Sequence, residues 1–291
     1  MPAETAAEPA VPFYRVSGAG NDFLALVEPA RVPPAGTIAA WCRRGVSLGA
    51  DGLFVLRRAG CAGMGAAVAM DHFNADGGPA ELCVNGTRCA ARLVFHLGWF
   101  ADEVEVRTGA GPVRARAAGD DVVALELPAP GEPEALSVEL PEAEGGRVEG
   151  WRVTVGVPHF VVLPTDLARA PVAALGPPLR RHRAFGAAGT NVDFVRFPAP
   201  GRLEVRTFER GVEAETLACG TGVLAAAAVG RATGALALPA TALTTGGFEM
   251  TVGEAGGGRW TLAGDARIVA AGEALPGAAA VPEPLRWTPG R

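Results

Sequence analysis

The chain contains no lysine: all 26 of its basic residues are arginine. Chemistry that runs through a lysine Schiff base, pyridoxal-phosphate catalysis above all, is therefore closed to it. It also lacks paired cysteine spacings. Its five cysteines, Cys42, Cys61, Cys83, Cys89 and Cys219, form no CxxC pair. Their odd number and irregular spacing argue against a secreted disulfide framework and against the usual zinc sites. The four histidines, His72, His96, His159 and His182, are scattered. Long apolar runs are missing too, since Val223 to Val229 is far too short to span a bilayer. The first twelve residues have neither the basic start nor the apolar core of a signal peptide. A net charge of -5 gives no reason to expect nucleic acid or an anionic membrane as partner. The expectation is a soluble cytoplasmic protein with a short disordered leader.

What is present is globular in composition. Hydrophobic residues make up 49% of the 291-residue chain and charged residues 20%, enough for a sizeable core in two ordinary domains or one large one. Forty glycines and 24 prolines imply many turns and short elements. Apolar runs of strand length recur at Phe23 to Val27, Leu53 to Leu56, Val122 to Leu127, Val153 to Val155, Phe160 to Leu163, Val192 to Val195 and Leu203 to Val205. Helical patterning is clear at Thr37 to Arg43, Thr87 to Leu97 and Thr221 to Thr233.

The chain repeats itself. Phe73 to Cys83 resembles Phe208 to Cys219, and each stretch is followed by Gly, Thr and an Ala-containing helix. One offset of 136 residues separates Cys83 from Cys219 and Gly20 from Gly156. A shared offset points to two related halves, with a boundary in Pro128 to Glu149, which is rich in Pro, Glu and Gly.

Each repeat places a cysteine at the start of a helix, in Cys83-Val84-Asn85-Gly86 and in Cys219-Gly220-Thr221-Gly222. Helix N-termini offer unpaired N–H groups and partial positive charge, which favour a thiolate and can hold a carboxylate. Two such sites facing across a cleft make a two-base device. One thiolate removes an α-proton, and the other group, as thiol, returns one to the opposite face. No metal or organic cofactor is needed. A cysteine taken alone is most simply a small buried hydrophobe, and Cys42, Cys61 and Cys89 are read that way. Cys89, six residues after Cys83, has a redox neighbour role as its alternative.

These residues also carry a family resemblance. Ser17 to Phe23, Leu48 to Gly52, Phe73 to Gly77, Glu81 to Cys89, Gly189 to Val195, and Phe208 to Gly211 continuing through Glu215 to Gly222 resemble, in order, the motifs of diaminopimelate epimerases. Gly264 to Gly272 is weakly similar to that family's last strand. The resemblance implies an α/β (α+β) fold of two topologically similar domains, each a mixed sheet wrapped around a central helix, with the active site in the cleft between them. The corresponding segments are a leader at 1–12, an N-terminal domain at 13–130 carrying Cys83, a C-terminal domain at 131–263 carrying Cys219, a return segment at 264–279 packing on the N-terminal domain, and a tail at 280–291. It implies interconversion of LL- and meso-diaminopimelate, feeding lysine and cell-wall synthesis. Cys83 and Cys219 match the acid/base pair. Asn21, Asn74, Asn191, Glu209 and Arg210 match substrate-binding positions, with the backbone of Val84, Asn85, Gly220 and Thr221 holding the reacting carboxylate. His159 and Glu209 match positions that tune the thiols. Singly, Asn21 and Asn74 suit turns and Arg210 a surface ion pair; together, in family order, they mark a site.

The pattern departs from the family at four places. Val157 stands where the family has an Asn, removing a side-chain hydrogen bond to the far end of the substrate. Val84 replaces a Gly and brings a stiff, bulky side chain to the pocket. Ser47 replaces another Gly, with backbone strain expected there. The segment around Ala270 lacks an aromatic that some members place at a dimer contact, though a homodimer remains the expected assembly. Val157 keeps open a racemase of another amino acid, such as histidine. A binding or thiol-redox protein is the rival of another class, and the retention of both cysteines without CxxC disfavours it.

Overall fold

The computed structural model describes residues 9–59 and 67–281, so Cys61 and most of the expected leader and tail lie outside the described residues. The first half of the chain forms β1 (Val11–Gly18), β2 (Asn21–Val27), α1 (Ala35–Cys42), β3 (Gly52–Arg58), β4 (Ala67–Asn74), β5 (Pro79–Ala80), α2 (Val84–His96), β6 (Glu103–Thr108), β7 (Gly111–Gly119) and β8 (Val122–Pro128). The second forms β9 (Glu134–Glu139), β10 (Arg147–Val155), β11 (Val157–Val162), α3 (Val172–Arg180), β12 (Asn191–Ala199), β13 (Arg202–Glu209), β14 (Ala214–Thr216), α4 (Gly220–Ala232), β15 (Ala240–Thr244), β16 (Glu249–Gly256), β17 (Arg259–Asp265) and β18 (Arg267–Ala274).

The pairing pattern repeats. From β1 through β2, β3, β4, β6 and β7 to β8 the pairs run antiparallel, parallel, antiparallel, parallel, antiparallel, antiparallel. From β10 through β11, β12, β13, β15 and β16 to β17 the succession is the same. The halves join where β8 pairs antiparallel with β17. Beyond that seam the chain turns back, and β18 pairs with β1 as β9 pairs with β10. Equivalent positions are set by the register. Phe23 faces Gly52 in one half, and His159 faces Asn191 in the other.

Each sheet curls around one helix, α2 or α4, whose residues are almost all buried. In α4 the run Ala225 to Ala228 keeps the helix thin enough for strands to pack on all sides. Both helices stop on an αR cap followed by a glycine at positive φ, Gly98 at 65° and Gly234 at 75°, a conformation that Gly adopts without steric penalty. The two helix cores merge into one cluster containing Val84, Leu93, Ala218, Val223 and Leu262. Separate layers lie outside the sheets, one with Ile38 and Trp41 of α1 and one with Val172 and Leu179 of α3.

Two elements lie where the sequence shows little. Glu134–Glu139 forms β9 inside the segment read as a boundary. Only Leu136 and Val138 alternate there, and pairing with β10 supplies the rest. Helix α3 carries Pro177 and Pro178 in its later half, residues that argue against a helix interior. Burial of Val172 and Leu179, and of Gly176 against the Phe208 ring, holds it. Strain at Ser47 is not found. Ser47 is not among the positive-φ residues, and its Oγ donates to Ala278 O at 2.6 Å.

Candidate active site

The two repeats bring Cys83 and Cys219 to the N-caps of the two central helices, both with extended backbone. Side-chain volume sets how closely the helix starts approach. A Cβ placed on Gly220 would lie 2.8 Å from Cγ1 of Val84, so only a residue without a side chain fits there. Asn85 Nδ2 donates across the same junction to Ala218 O at 3.1 Å, tying the first half to the residue before Cys219. Val84, Asn85, Gly220, Ala218 and Cys219 are all buried here.

Around Cys83, the Gly86 N–H points at Sγ from 3.4 Å, and the thiol donates to Asn21 Oδ1 at 3.7 Å. Asn21 is itself oriented. Its Nδ2 donates to Asp51 Oδ2 at 2.7 Å, which turns the amide oxygen toward the sulfur. Arg44 bridges Asp51 and Asp22, and Arg15 adds a second cation on Asp22. Where the helix start alone was expected to favour a thiolate, burial outweighs it and pushes the half-buried Cys83 thiol up to about 11; Glu209 pushes the same way, while the Gly86 N–H and the Arg88 charge oppose.

Cys219 sits 3.4 Å from Thr221 Oγ1. Burial raises its pKa well above the ordinary thiol value, and the charges of Glu209 and Asp193 add to the rise. Glu209 thus acts on both thiols. Its own carboxyl is raised by burial and steadied by a 2.9 Å bond from Thr216 Oγ1.

Behind Cys219 lies a buried polar chain. His159 Nδ1 is 2.7 Å from Asp193 Oδ2, both side chains fully inaccessible, and Thr207 Oγ1 donates to Asp193 Oδ1 at 2.7 Å. A Cβ on Gly222, in the first turn of α4, would collide with Asp193 Oδ1, which places the carboxylate directly against that turn. A carboxylate acceptor at Nδ1 fixes the proton of that nitrogen and the orientation of the ring. Nε2 faces Asn191 Nδ2 at 3.5 Å. Asn191 also donates to Pro158 O at 3.3 Å and accepts from the Arg210 N–H at 2.8 Å.

The site residues expected from the sequence fall into three groups. Asn21 meets Cys83; His159, Asn191 and the Arg210 backbone meet one another; Val84, Asn85, Gly220, Thr221 and Cys219 meet at the helix starts. Asn74 is exposed at the end of β4, and its side chain makes no hydrogen bond among the described residues. The Arg210 guanidinium forms no ion pair among the described residues. Cys42 and Cys89 are buried free thiols. Sequence reasoning assigned no role to Asp51, Asp193, Thr207 or Thr216. Asp193 carried a signal, a carboxylate in the apolar run Val192 to Val195, since such a group is buried only when paired. Among the described residues no group of three or more His, Cys, Asp or Glu is placed to hold a metal ion, and no helix is long and apolar enough to cross a membrane.

This architecture is shared with a set of solved structures. A phenazine biosynthesis protein of the PhzF family from Enterococcus faecalis superposes with a TM-score of 0.67 at 20% identity, over 91% of this chain and 99% of that one. A hydroxyproline epimerase from Agrobacterium vitis gives a TM-score of 0.62 at 18% identity, covering 92% and 93%. At these identities the likeness defines the fold. Sequence defines more. The diaminopimelate epimerase of Gemmatimonas aurantiaca is 37% identical over 90% of this chain and 98% of its own length, and that of Methanothrix thermoacetophila is 38% identical over 81% and 86%. The sequence model of the diaminopimelate epimerase family matches residues 13–127 and 152–269, and the chain belongs to that family.

Proposed function

We propose that the protein epimerises LL-diaminopimelate to meso-diaminopimelate without a cofactor, using Cys83 and Cys219 as the two bases, in the supply of lysine and peptidoglycan precursors. The observation that carries this is the placement of one cysteine at the N-cap position of each of two abutting helix starts, with Glu209 acting on both. The first-turn N–H groups of α2 and α4 have no intrahelical acceptor and suit the substrate carboxylate. The thiolate of one cysteine takes the α-proton and becomes a thiol. The thiol of the other delivers its proton to the opposite face and becomes a thiolate, so charge and protons balance. A thiol raised by burial is, once ionised, a stronger base toward the weakly acidic α-carbon. The carbanion is stabilised by N–H dipoles already in place. Asn21, Asn74, Asn191, Glu209 and Arg210 would take the polar far end of the substrate, with His159 and Glu209 setting the thiols. A cytoplasmic homodimer is part of the same reading.

Val157 favours a second reading. By the internal offset it is the counterpart of Asn21, it is half-buried, and it offers no hydrogen bond. A different amino acid, such as histidine, would be the substrate of a site so altered. Deuterium exchange at the α-carbon separates the two. LL-diaminopimelate, L-histidine and other L-amino acids are incubated in deuterated water with reductant and followed by NMR. Exchange with inversion confined to diaminopimelate is expected. Exchange confined to another amino acid would replace the substrate, and exchange with none would remove the enzymatic reading.

A further inference from the structure

Arg88 is the largest fully buried side chain among the described residues, in the second turn of α2. Its Nη2 donates to Asn85 Oδ1 at 2.8 Å and its Nε to Asp265 O at 3.3 Å. Nη1 is buried with no hydrogen-bond partner, and the guanidinium forms no ion pair among the described residues. The Asp265 carboxylate is engaged elsewhere, by the Ala19 N–H at 3.1 Å and by Arg267.

The position is unfavourable for a cation on its own terms. Burial of an unpaired charge is strongly opposed, and here it lowers the Arg88 pKa. The N-terminal end of a helix adds positive potential rather than relieving it. The fold does not require the charge. At the offset of 136 residues the same place in α4 is Leu224, fully buried. What the place does offer is a position on the helix that Cys83 starts, beside Cys89, and the two thiols and the Asp265 carboxylate all favour its charge. Asn85, the residue that Arg88 holds, is also the one that bonds to Ala218 beside Cys219.

We propose that Arg88 is a positioning residue of the site, a buried cation without an ion pair among the described residues that favours the anionic states of Cys83 and of a carboxylate bound at the α2 start, and that fixes Asn85 against the Cys219 segment. The inference rests on the two-thiol reading above. The charged groups acting on Cys83 are Arg88 from α2, which favours the thiolate, and Glu209 from β13, which opposes it. Asn21 from β2 accepts from the thiol and so favours the neutral form.

The test reads the thiol directly. Alkylation of Cys83 by iodoacetamide is followed peptide by peptide across pH in the full-length wild type, Arg88→Met and Arg88→Lys, beside thermal melting. In Arg88→Met the alkylation rate of Cys83 at pH 8 falls about tenfold, as loss of one neighbouring charge shifts a pKa by roughly one unit. Arg88→Lys also slows alkylation at pH 8, because a buried ammonium without an ion pair gives up its proton where a guanidinium keeps it. Arg88→Met still folds and melts within a few degrees of wild type, since relief of the buried charge offsets the loss of the bonds to Asn85 Oδ1 and Asp265 O. An unchanged Cys83 profile in Arg88→Met, or failure of that variant to fold, overturns the proposal by making Arg88 structural. Because alkylation needs no turnover, absence of α-proton exchange in the wild type would sink the proposed function while leaving this result readable.

Discussion

His159 and Asp193 form a fully buried pair, Nδ1 to Oδ2 at 2.7 Å, in the half of the molecule that carries Cys219. Among the described residues, the half that carries Cys83 has no such pair at the equivalent place. By strand register, Phe23 and Phe54 take the places of His159 and Asp193, and His72 that of Thr207. Two helix starts with the same N-cap residue therefore rest on different ground, an ionisable chain under one and an aromatic pair under the other.

Asp193→Asn tests that difference. The amide keeps the shape and loses the charged acceptor for Nδ1–H. A charged hydrogen bond contributes ~1.5–3 kcal/mol, so turnover should fall by about 10- to 100-fold. The Cys219 thiol should move the other way. Its pKa is raised first by burial, then by Glu209 and Asp193, so removing the Asp193 charge lowers it and speeds alkylation of Cys219 at fixed pH. Slower turnover with faster alkylation is the expected pair of results, read by exchange kinetics and by peptide mass analysis. Loss of both would mean that Asp193 serves only to hold the fold.

His72 gives the protein an acid sensitivity unrelated to its thiols. The ring is buried, neither nitrogen has a hydrogen-bond partner among the described residues, and burial lowers its pKa to about 4. The unfolded chain, titrating near 6.5, binds the proton more readily. Stability is therefore full above about pH 6.5 and is lost progressively as pH falls toward 4, by up to about 3 kcal/mol. Phe23 packs edge-on against this ring at 5.5 Å, so a second aromatic is compatible with the place. Urea unfolding at pH 7 and pH 5 should show a smaller drop for His72→Phe than for the wild type. An equal drop would assign the acid sensitivity to other groups.

Much of this was legible in the sequence because the repeat and the cysteines are local signals. Cys83 and Cys219 stand out through the residues just after them, Val84 to Thr87 and Gly220 to Gly222, and both do occupy helix N-cap positions. The strands at Phe23 to Val27 and Val192 to Val195 announced themselves by apolar runs buried from both sides. Edge elements did not. β9 and β18 carry short or weak apolar patterns, because each is held mainly by pairing with a strand distant in sequence or shielded on one side only. Asp51 and Thr207 were silent for the same reason. Their importance lies in contacts across 30 and 14 residues, Asn21 with Asp51 and Thr207 with Asp193, which no spacing rule encodes. The strain expected at Ser47 failed because a substituted glycine position need not have positive φ.

The contact between Val84 and Gly220 makes a reciprocal prediction. Gly220→Ala sets a methyl 2.8 Å from Val84 Cγ1 in a packed junction. Overpacking of this kind costs about 1–3 kcal/mol. In a Val84→Gly background the methyl gains room, and the second substitution should cost less than half as much. Denaturant unfolding of the two single variants and the double variant measures the coupling. Additive effects would show that the junction relaxes without help from Val84 and that the helix starts are not set by this contact.

The same close junction bears on oxidation. Cys83 and Cys219 each immediately precede the residues that touch, Val84 and Gly220, and both are free thiols. A disulfide requires Cα atoms within about 7 Å, so crosslinking reads directly how closely the two helix starts bring their cysteines together. Diamide, itself reduced to the hydrazine, should remove one hydrogen from each sulfur, join Cys83 to Cys219 and abolish α-proton exchange, and dithiothreitol should restore it. Cys89 is fully buried and Cys42 lies in the separate α1 layer, so neither should appear in the crosslinked peptide. Substitution of Cys83 or Cys219 by serine should stop both crosslinking and exchange. Exchange that persists under oxidant, with no peptide joining residues 83 and 219, would mean that the thiols do not face one another and would remove the two-base geometry.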